Sequence, residues 1–213
     1  VSFTNVTSEP LVDITSSRMP AWQQSVKRVF DIVVSVVCML VLSPIYLYVA
    51  IRVKLGSKGP IFYKQERIGY EGRPFMIYKF RTMYIDAERQ GPQLSQVNDP
   101  RITPFGHVMR KYRLDELPQF WNIIKGDMSF IGPRPPLTYH PWPWEEYTAD
   151  QLEMFSVRPG VTGWAQVNGY RGDTSIRKRI EFDLYYIENW TFGFDLKILF
   201  LTFFKGFINK NAY

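Results

Sequence analysis

The longest apolar segment of the chain, Val29–Ile51, predicts two helices rather than one. At about 1.5 Å per residue, a continuous helix of this length could cross a hydrocarbon core of about 30 Å. Three features argue against a straight span: Pro44, preceded by Ser43, breaks the helix; Asp31 would lie within the membrane end; and both flanks are basic. We therefore expect a re-entrant hairpin over residues 25–56 that turns at Ser43 and Pro44 and returns to the side it entered from.

The rest of the hydrophobic pattern predicts short strands and amphipathic helices. Aromatic and β-branched residues on both sides of a Gly-containing turn predict a β-hairpin within Gly59–Met83. Residues 175–189 form an amphipathic helical pattern. Residues 194–207 are apolar but too short and too interrupted to span a bilayer, so they suit either a helix in the membrane interface or a buried core helix.

These elements predict a mixed α/β fold with one small domain. The 213 residues, of which 46% are hydrophobic, are enough for one domain with its own core. Residues 1–24, rich in Ser, Thr and Pro, are expected to be a linker or tail, residues 25–56 the membrane hairpin, and residues 57–213 the globular part with interfacial helices. Because the chain begins with Val1, we expect a processed chain or a piece excised from a longer protein.

Charge and composition narrow the classes of partner. A net charge of +6 indicates acidic partners: anionic lipids, phosphorylated substrates or nucleic acid. No recognised nucleic-acid motif occurs, and the apolar hairpin argues against such a partner. The single cysteine, Cys38, excludes an internal disulfide, and the lack of a Cys/His cluster argues against structural zinc.

The candidate chemistry centres on an acid pair, Asp115 and Glu116, surrounded by arginines. A helix is predicted over Leu117–Lys125, with Pro118 near its start and Gly126 just past its end. The pair therefore lies at or just before a helix N-terminus, which favours carboxylates and phosphates. An ionised carboxylate beside such an end suits an aspartyl-phosphate nucleophile, whereas the alternative is that both acids simply cap the helix.

Two other patterns carry weaker signals. Lys79 and Arg81 lie two residues apart in a predicted strand, so they share a face that could hold a diphosphate or simply be solvated. The Gly-rich segment 157–174 could cradle a nucleotide, although it is neither a P-loop nor a dinucleotide fingerprint. The Trp142–Trp144 segment suits the membrane interface, a sugar site or local packing equally well.

The sequence RLDELPQFWNIIKGDMSFIGPRP closely resembles the core motif of the bacterial sugar transferases, the monotopic phosphoglycosyl transferases. The resemblance continues through YKFRTM, NDPRITPFG, RPGVTGWAQVNGYRGDT and FDLYYIENW, and it covers roughly Lys27 to Phe207. Several long motifs in the family's order make this a specific resemblance. It favours the re-entrant hairpin and leaves open a longer parent protein with further membrane helices before this core.

The resemblance implies roles for individual residues of this sequence. Asp115 is implied as the nucleophile and a Mg²⁺ contact, and Glu116 as a supporting acid/base or metal-orienting group. Arg134 is expected to clamp phosphate, since the prolines on both sides stiffen its backbone. The resemblance also favours roles at the phosphates or the nucleotide sugar for Lys79, Arg158, Gln166, Asn168 and Arg171. Arg81 and Arg113 are expected there from their positions, beside Lys79 and beside the acid pair.

The implied reaction moves a phosphosugar from a UDP-sugar to undecaprenyl phosphate through an aspartyl-phosphosugar intermediate, with release of UMP. It implies Mg²⁺ as cofactor, membrane lipid as a further partner, and a place on the cytoplasmic face of the bacterial inner membrane; a homodimer stays open. Two alternatives remain: a glycosyltransferase that releases UDP, and a non-enzymatic scaffold that binds anionic lipid through its basic surface. Neither the sugar nor the glycan pathway is indicated by any motif.

Overall fold

The computed structural model describes residues 3–7, 9–12, 20–87, 99–138, 148, 152–170 and 174–206. Short 3₁₀ turns at 70–72, 114–116 and 153–156 connect its helices and strands. The strands are β1 (Phe3–Thr7), β2 (Glu9–Val12), β3 (Phe62–Ile68), β4 (Pro74–Phe80), β5 (Ser129–Ile131) and β6 (Gly160–Thr162). The helices are α1 (Ala21–Val41), α2 (Ser43–Gly56), α3 (Pro104–Tyr112), α4 (Gln119–Lys125), α5 (Trp164–Val167), α6 (Ile176–Glu188) and α7 (Phe192–Gly206).

Helices α1 and α2 form a pair bent by 64°, with the break at Leu42. Pro44 lies in the first turn of α2, and the Ser43 hydroxyl donates to the carbonyl oxygen of Leu40 at 2.8 Å. The predicted helix–break–helix at Ser43 and Pro44 is confirmed, although α1 begins four residues earlier than expected, at Ala21. Within the described residues, neither helix alone is long and apolar enough to cross a membrane, but the bent pair together meets both criteria.

The strands of the described residues form three two-stranded sheets. Strands β3 and β4 pair antiparallel from Phe62 opposite Phe80 to Ile68 opposite Pro74, which confirms the predicted β-hairpin. Strands β5 and β6 pair in parallel. Strands β1 and β2 pair antiparallel in the segment that the sequence pattern predicted to be a linker or tail.

The main core lies where α4, β5, α6 and α7 meet. Its fully buried members include Ile123, Met128, Ile131, Tyr186 and Ile198. Burial of such apolar surface supplies most of the stabilisation of the fold.

Helix α7 has two apolar faces, which resolves the choice between core helix and surface helix. Ile198 on one face is fully buried in the main core. Phe200, Phe203 and Phe204 on another face are each more than half exposed, and α1 and α2 expose many aliphatic side chains in the same way. The helix is therefore part of the core and also presents an aromatic surface.

A fully buried amide fixes α4 against β4. Asn122 accepts a hydrogen bond from the backbone N–H of Tyr78 at 3.0 Å and donates to the carbonyl of Met76 at 2.7 Å and to Asp127 at 3.1 Å. Since these partners belong to the middle of strand β4 and to the turn after α4, the short helix is locked beside the strand that carries Lys79.

Asp183 makes stability depend on pH. Its burial in α6 raises the pKa of its carboxyl to about 8, although Arg179 opposes the shift. The unfolded chain loses this proton near pH 4, so the folded state holds an extra proton and loses stability as the pH rises from about 4 to about 8. We expect Asp183→Asn to flatten this decline, as measured by thermal unfolding in detergent at pH 4.5 to 8.5. The same slope in Asp183→Asn as in the exposed control Glu181→Gln would contradict this assignment.

Candidate active site

The acid pair lies in a tight connection between two helices. Helix α3 ends at Tyr112, Arg113 follows with a left-handed backbone at φ of 57°, and a 3₁₀ turn then carries Asp115 and Glu116. Pro118 and the left-handed Gly126, with φ of 100°, flank α4 on either side. The structure therefore confirms that the pair directly precedes a helix that is bounded by Pro and Gly.

Three cations from separate parts of the chain converge on the carboxylate of Glu116. Lys79 at the end of β4 lies 3.3 Å away, between its Nζ and Oε1. Arg113 lies 3.8 Å and Arg134, in the loop after β5, 3.9 Å from the carboxylate oxygens. The excess of positive charge over this one carboxylate favours binding of an anionic group such as a phosphate.

Asp115 is buried within the same group of charges. Burial raises the pKa of its carboxyl to about 6, against the attraction of Lys79 and, more weakly, Arg110, and with repulsion from Glu116 adding to the rise. Burial also lowers the pKa of Lys79, while Glu116 and Asp115 oppose that shift. A poorly solvated carboxylate that is ionised at neutral pH is suited to nucleophilic attack.

Arg110 also belongs to this group of charges, although the sequence did not predict it as a binding residue. Its Nε donates to the hydroxyl of Thr82 at 3.0 Å, and its charge acts on both Asp115 and Asp99. Asp99 in turn binds the guanidinium of Arg101 through two oxygens, with a shortest distance of 2.6 Å. The sequence signal for Arg110 was a basic residue five positions before Asp115. Helix α3 brings that side chain close to the turn that carries the acid pair.

Backbone carbonyls engage the side chain of Arg81, and its predicted role beside Lys79 at a diphosphate stays a prediction. The backbone N–H of Arg81 still donates to the carbonyl of Ile61 at 2.9 Å, one residue beyond the end of β4. The Arg81 guanidinium instead donates to the carbonyls of Lys58 and Ser57, at 2.5 and 2.9 Å, just past the end of α2. Arg81 thus places a cation just beyond a helix C-terminus, where positive charge is favourable.

The residues predicted to bind the nucleotide sugar do not share one environment. Arg158 donates from Nε to the carbonyl of Gly126 at 3.0 Å and lies over the ring of Tyr70. Gln166 is buried in α5, and the exposed Asn168 donates to the carbonyl of Trp164 at 2.8 Å. Their role at a nucleotide stays a prediction.

Two of the predicted features lie outside the described residues. These are Arg171 and the Trp142–Trp144 segment.

Glycines in the Gly-rich segment serve backbone packing. A Cβ at Gly160 would collide with the backbone nitrogen of Gly132, and one at Gly163 would collide with the Gly132 carbonyl oxygen. Gly160 also donates to the carbonyl of Pro133 at 2.8 Å. This close approach holds the loop that carries Arg134 against β6.

The carboxylates present fit a magnesium ion only in company with a phosphate ligand. Within the part of the chain that the structure describes, no three Asp, Glu, His or Cys side chains form a group able to hold a metal. Mg²⁺ commonly binds through one or two carboxylates plus substrate phosphates and water, and Asp115 meets that requirement.

Fold and site together define a small α/β protein that places a buried carboxylate among three cations beside an apolar helix pair. The sequence model of the bacterial sugar transferase family matches residues 22–209, and the chain belongs to this family. The resemblance found in the motifs is thereby confirmed.

Two relatives are named as enzymes that transfer a sugar phosphate to undecaprenyl phosphate. The chain is 41% identical over 208 residues to a UDP-glucose:undecaprenyl-phosphate glucose-1-phosphate transferase of Escherichia coli, covering 96% of this chain and 45% of the relative. It is 44% identical over 179 residues to a UDP-N-acetylgalactosamine-undecaprenyl-phosphate N-acetylgalactosaminephosphotransferase of Aeromonas hydrophila, covering 83% and 42%. The chain thus spans less than half the length of these two relatives.

A shorter relative matches over most of its own length. The Bacillus subtilis protein named uncharacterized sugar transferase EpsL is 43% identical over 187 residues, which cover 86% of this chain and 88% of that protein. The chain therefore matches most of the length of this relative and less than half of the length of the other two.

The assignment of Arg81 to the end of α2 can be tested by stability. Arg81→Gln removes charged hydrogen bonds to two carbonyls, so we expect a loss of about 2 kcal/mol in the free energy of unfolding. Denaturant unfolding in detergent measures this loss, with Arg73→Gln, on an exposed turn, as the control. An unchanged free energy of unfolding in Arg81→Gln would contradict this role.

Proposed function

We propose that this chain is a phosphoglycosyl transferase that moves a phosphosugar from a UDP-sugar to a polyprenol phosphate and releases UMP. The observation that carries the proposal is the convergence of Lys79, Arg113 and Arg134 beside the buried carboxyl of Asp115. The names of the E. coli and A. hydrophila relatives supply the substrate classes, a UDP-sugar and undecaprenyl phosphate.

The reaction is proposed to run in two displacements at one phosphorus atom. A carboxylate oxygen of Asp115 attacks the β-phosphorus of the UDP-sugar, and the bond to the bridging oxygen breaks so that UMP leaves with the electron pair. An oxygen of the polyprenol phosphate then attacks the same phosphorus, and the Asp115 carboxylate leaves. Two steps through a carboxylate replace one direct encounter between two phosphate anions.

The surrounding side chains would lower the electrostatic cost of bringing these anions together. Lys79, Arg113 and Arg134 would bind phosphate oxygens of the donor, while Arg110 favours the ionised form of Asp115. Glu116 would hold the three cations in place. Asp115 would bind Mg²⁺ together with the donor phosphates, and the ion would supply further charge neutralisation.

The apolar surfaces support a location at the cytoplasmic face of a bacterial inner membrane. Helices α1 and α2 would enter one leaflet as a re-entrant hairpin, and the exposed aromatic face of α7 would lie in the interface. A lipid-linked acceptor would then meet a water-soluble donor at the site. A homodimer stays a prediction.

Nucleotide release separates this proposal from its alternatives. The protein, in detergent with Mg²⁺ and undecaprenyl phosphate, is incubated with a panel of UDP-sugars, and UMP and UDP are measured separately. UMP from one sugar supports phosphosugar transfer and identifies the donor. UDP release supports ordinary glycosyl transfer instead, and neither nucleotide from any donor favours the lipid-binding scaffold.

Asp115→Asn should fold normally and lose essentially all turnover, because an amide cannot form the acyl phosphate. The measurement is transfer of ³²P from a β-labelled UDP-sugar to the protein, together with UMP release. Glu71→Gln, on the exposed turn of the β-hairpin, is the control and should retain activity. Normal labelling of Asp115→Asn would exclude Asp115 as the nucleophile.

The re-entrant arrangement predicts that both ends of the hairpin are accessible from the same side. Single cysteines at Lys27 and Lys54, introduced with Cys38→Ala, should react with an impermeant maleimide only from the cytoplasmic side of oriented vesicles. Labelling of the two positions from opposite sides would exclude a re-entrant hairpin.

A further inference from the structure

The bent helix pair holds both ends of the segment that follows the acid pair, Leu117–Gly126. At the start of this segment, the hydroxyl of Tyr46 in α2 donates to the Leu117 carbonyl at 2.5 Å. At its end, Arg28 in α1 donates through its two terminal nitrogens to the carbonyls of Ile123 and Ile124, at 2.5 and 2.8 Å.

We propose that Tyr46 and Arg28 are positioning residues through which the hairpin sets the placement of Asp115 for the first displacement. This inference rests on the proposed function. It assigns to the hairpin a role in turnover in addition to its role as a membrane anchor.

Tyr46 links the acid pair to the strand that carries Lys79. Its ring packs edge-on against Phe80 at a centroid distance of 5.9 Å, and Phe80 directly follows Lys79. Its hydroxyl holds Leu117, which directly follows Glu116. Tyr46 therefore helps to fix the distance between Lys79 and Glu116.

Arg28 acts at the opposite end of the same segment. The last carbonyls of a helix lack partners within the helix, and a cation there is favoured by the helix dipole. Arg28 contacts two of these carbonyls through its two terminal nitrogens, and Arg158 adds a hydrogen bond to the carbonyl of Gly126, just past the helix. A fork of two donors fixes direction as well as distance.

The segment depends on such outside contacts for its position. Helix α4 has seven residues, fewer than an isolated helix needs for stability in water. It is held by Asn122 on the strand side and by Tyr46 and Arg28 on the hairpin side. Because α1 holds one end and α2 the other, a change in the 64° bend would move the acid pair relative to Lys79.

The test compares two tyrosines of α2 in the full chain, reconstituted in lipid nanodiscs. Tyr46→Phe deletes the hydroxyl that binds Leu117 and keeps the ring against Phe80. Tyr48→Phe makes the same deletion on the exposed side of the helix. We expect single-turnover labelling of Asp115 from a ³²P-labelled UDP-sugar to slow about tenfold in Tyr46→Phe, as for a small misplacement of a reacting group, and to be unchanged in Tyr48→Phe.

The second pair of variants tests the other end of the segment. Arg28→Gln is compared with Arg52→Gln on the exposed side of α2. In both Tyr46→Phe and Arg28→Gln, the Kd for the UDP-sugar and the fraction bound to membranes should stay within twofold of wild type while the labelling rate falls. This separation of rate from affinity distinguishes positioning from a general loss of structure.

Two results would overturn the inference on its own: labelling of both variants at the wild-type rate, or a donor affinity that falls in step with the rate. A wild-type protein that releases UMP without any covalent label would overturn the proposed intermediate, and this inference with it.

Discussion

The attraction between Glu116 and three cations is the interaction around which the described domain is arranged. Partly buried charges need partners, and here the partners come from the end of β4, the turn after α3 and the loop after β5. These three elements can meet only if α4 lies against β4 and if β5 lies against β6. The buried amide of Asn122 secures the first of these contacts, and the glycine contacts of Gly132 secure the second. The packing of these elements thus brings three like charges to one carboxylate.

Features that depend on neighbouring residues could be predicted from the sequence. Pro44 breaks the apolar run whatever it later packs against, and Gly126 ends α4 because its left-handed backbone is costly for other residues. The β-hairpin and the turn that carries the acid pair follow from equally local signals. The family motif then identified the acid pair as the centre of the site.

Features that depend on distant residues could not be predicted in this way. Period-two alternation predicts Lys79 and Arg81 on one face, but no local pattern reveals that Arg81 binds carbonyls just past the end of α2. Arg158 lies in the Gly-rich segment predicted to bind a nucleotide, and Arg28 lies in the basic flank of the apolar segment. Both bind carbonyls at the end of α4. An arginine has the same appearance in a sequence whether it binds a substrate phosphate or a helix terminus, since both present oxygen atoms to it. Only the fold decides between these partners.

The two apolar faces of α7 have a consequence for any attempt to prepare this domain in water. Removing the hairpin would take away Val49 and Val53, which belong to a buried cluster, and would leave the exposed aromatic side chains of α7 in place. Replacing those aromatic residues with charged ones would alter a helix whose other face, at Ile198, completes the main core. Solubility and folding are therefore controlled by the same fifteen residues. Preparing this domain therefore calls for a detergent or lipid that covers the exposed aromatic face and leaves the helix unchanged.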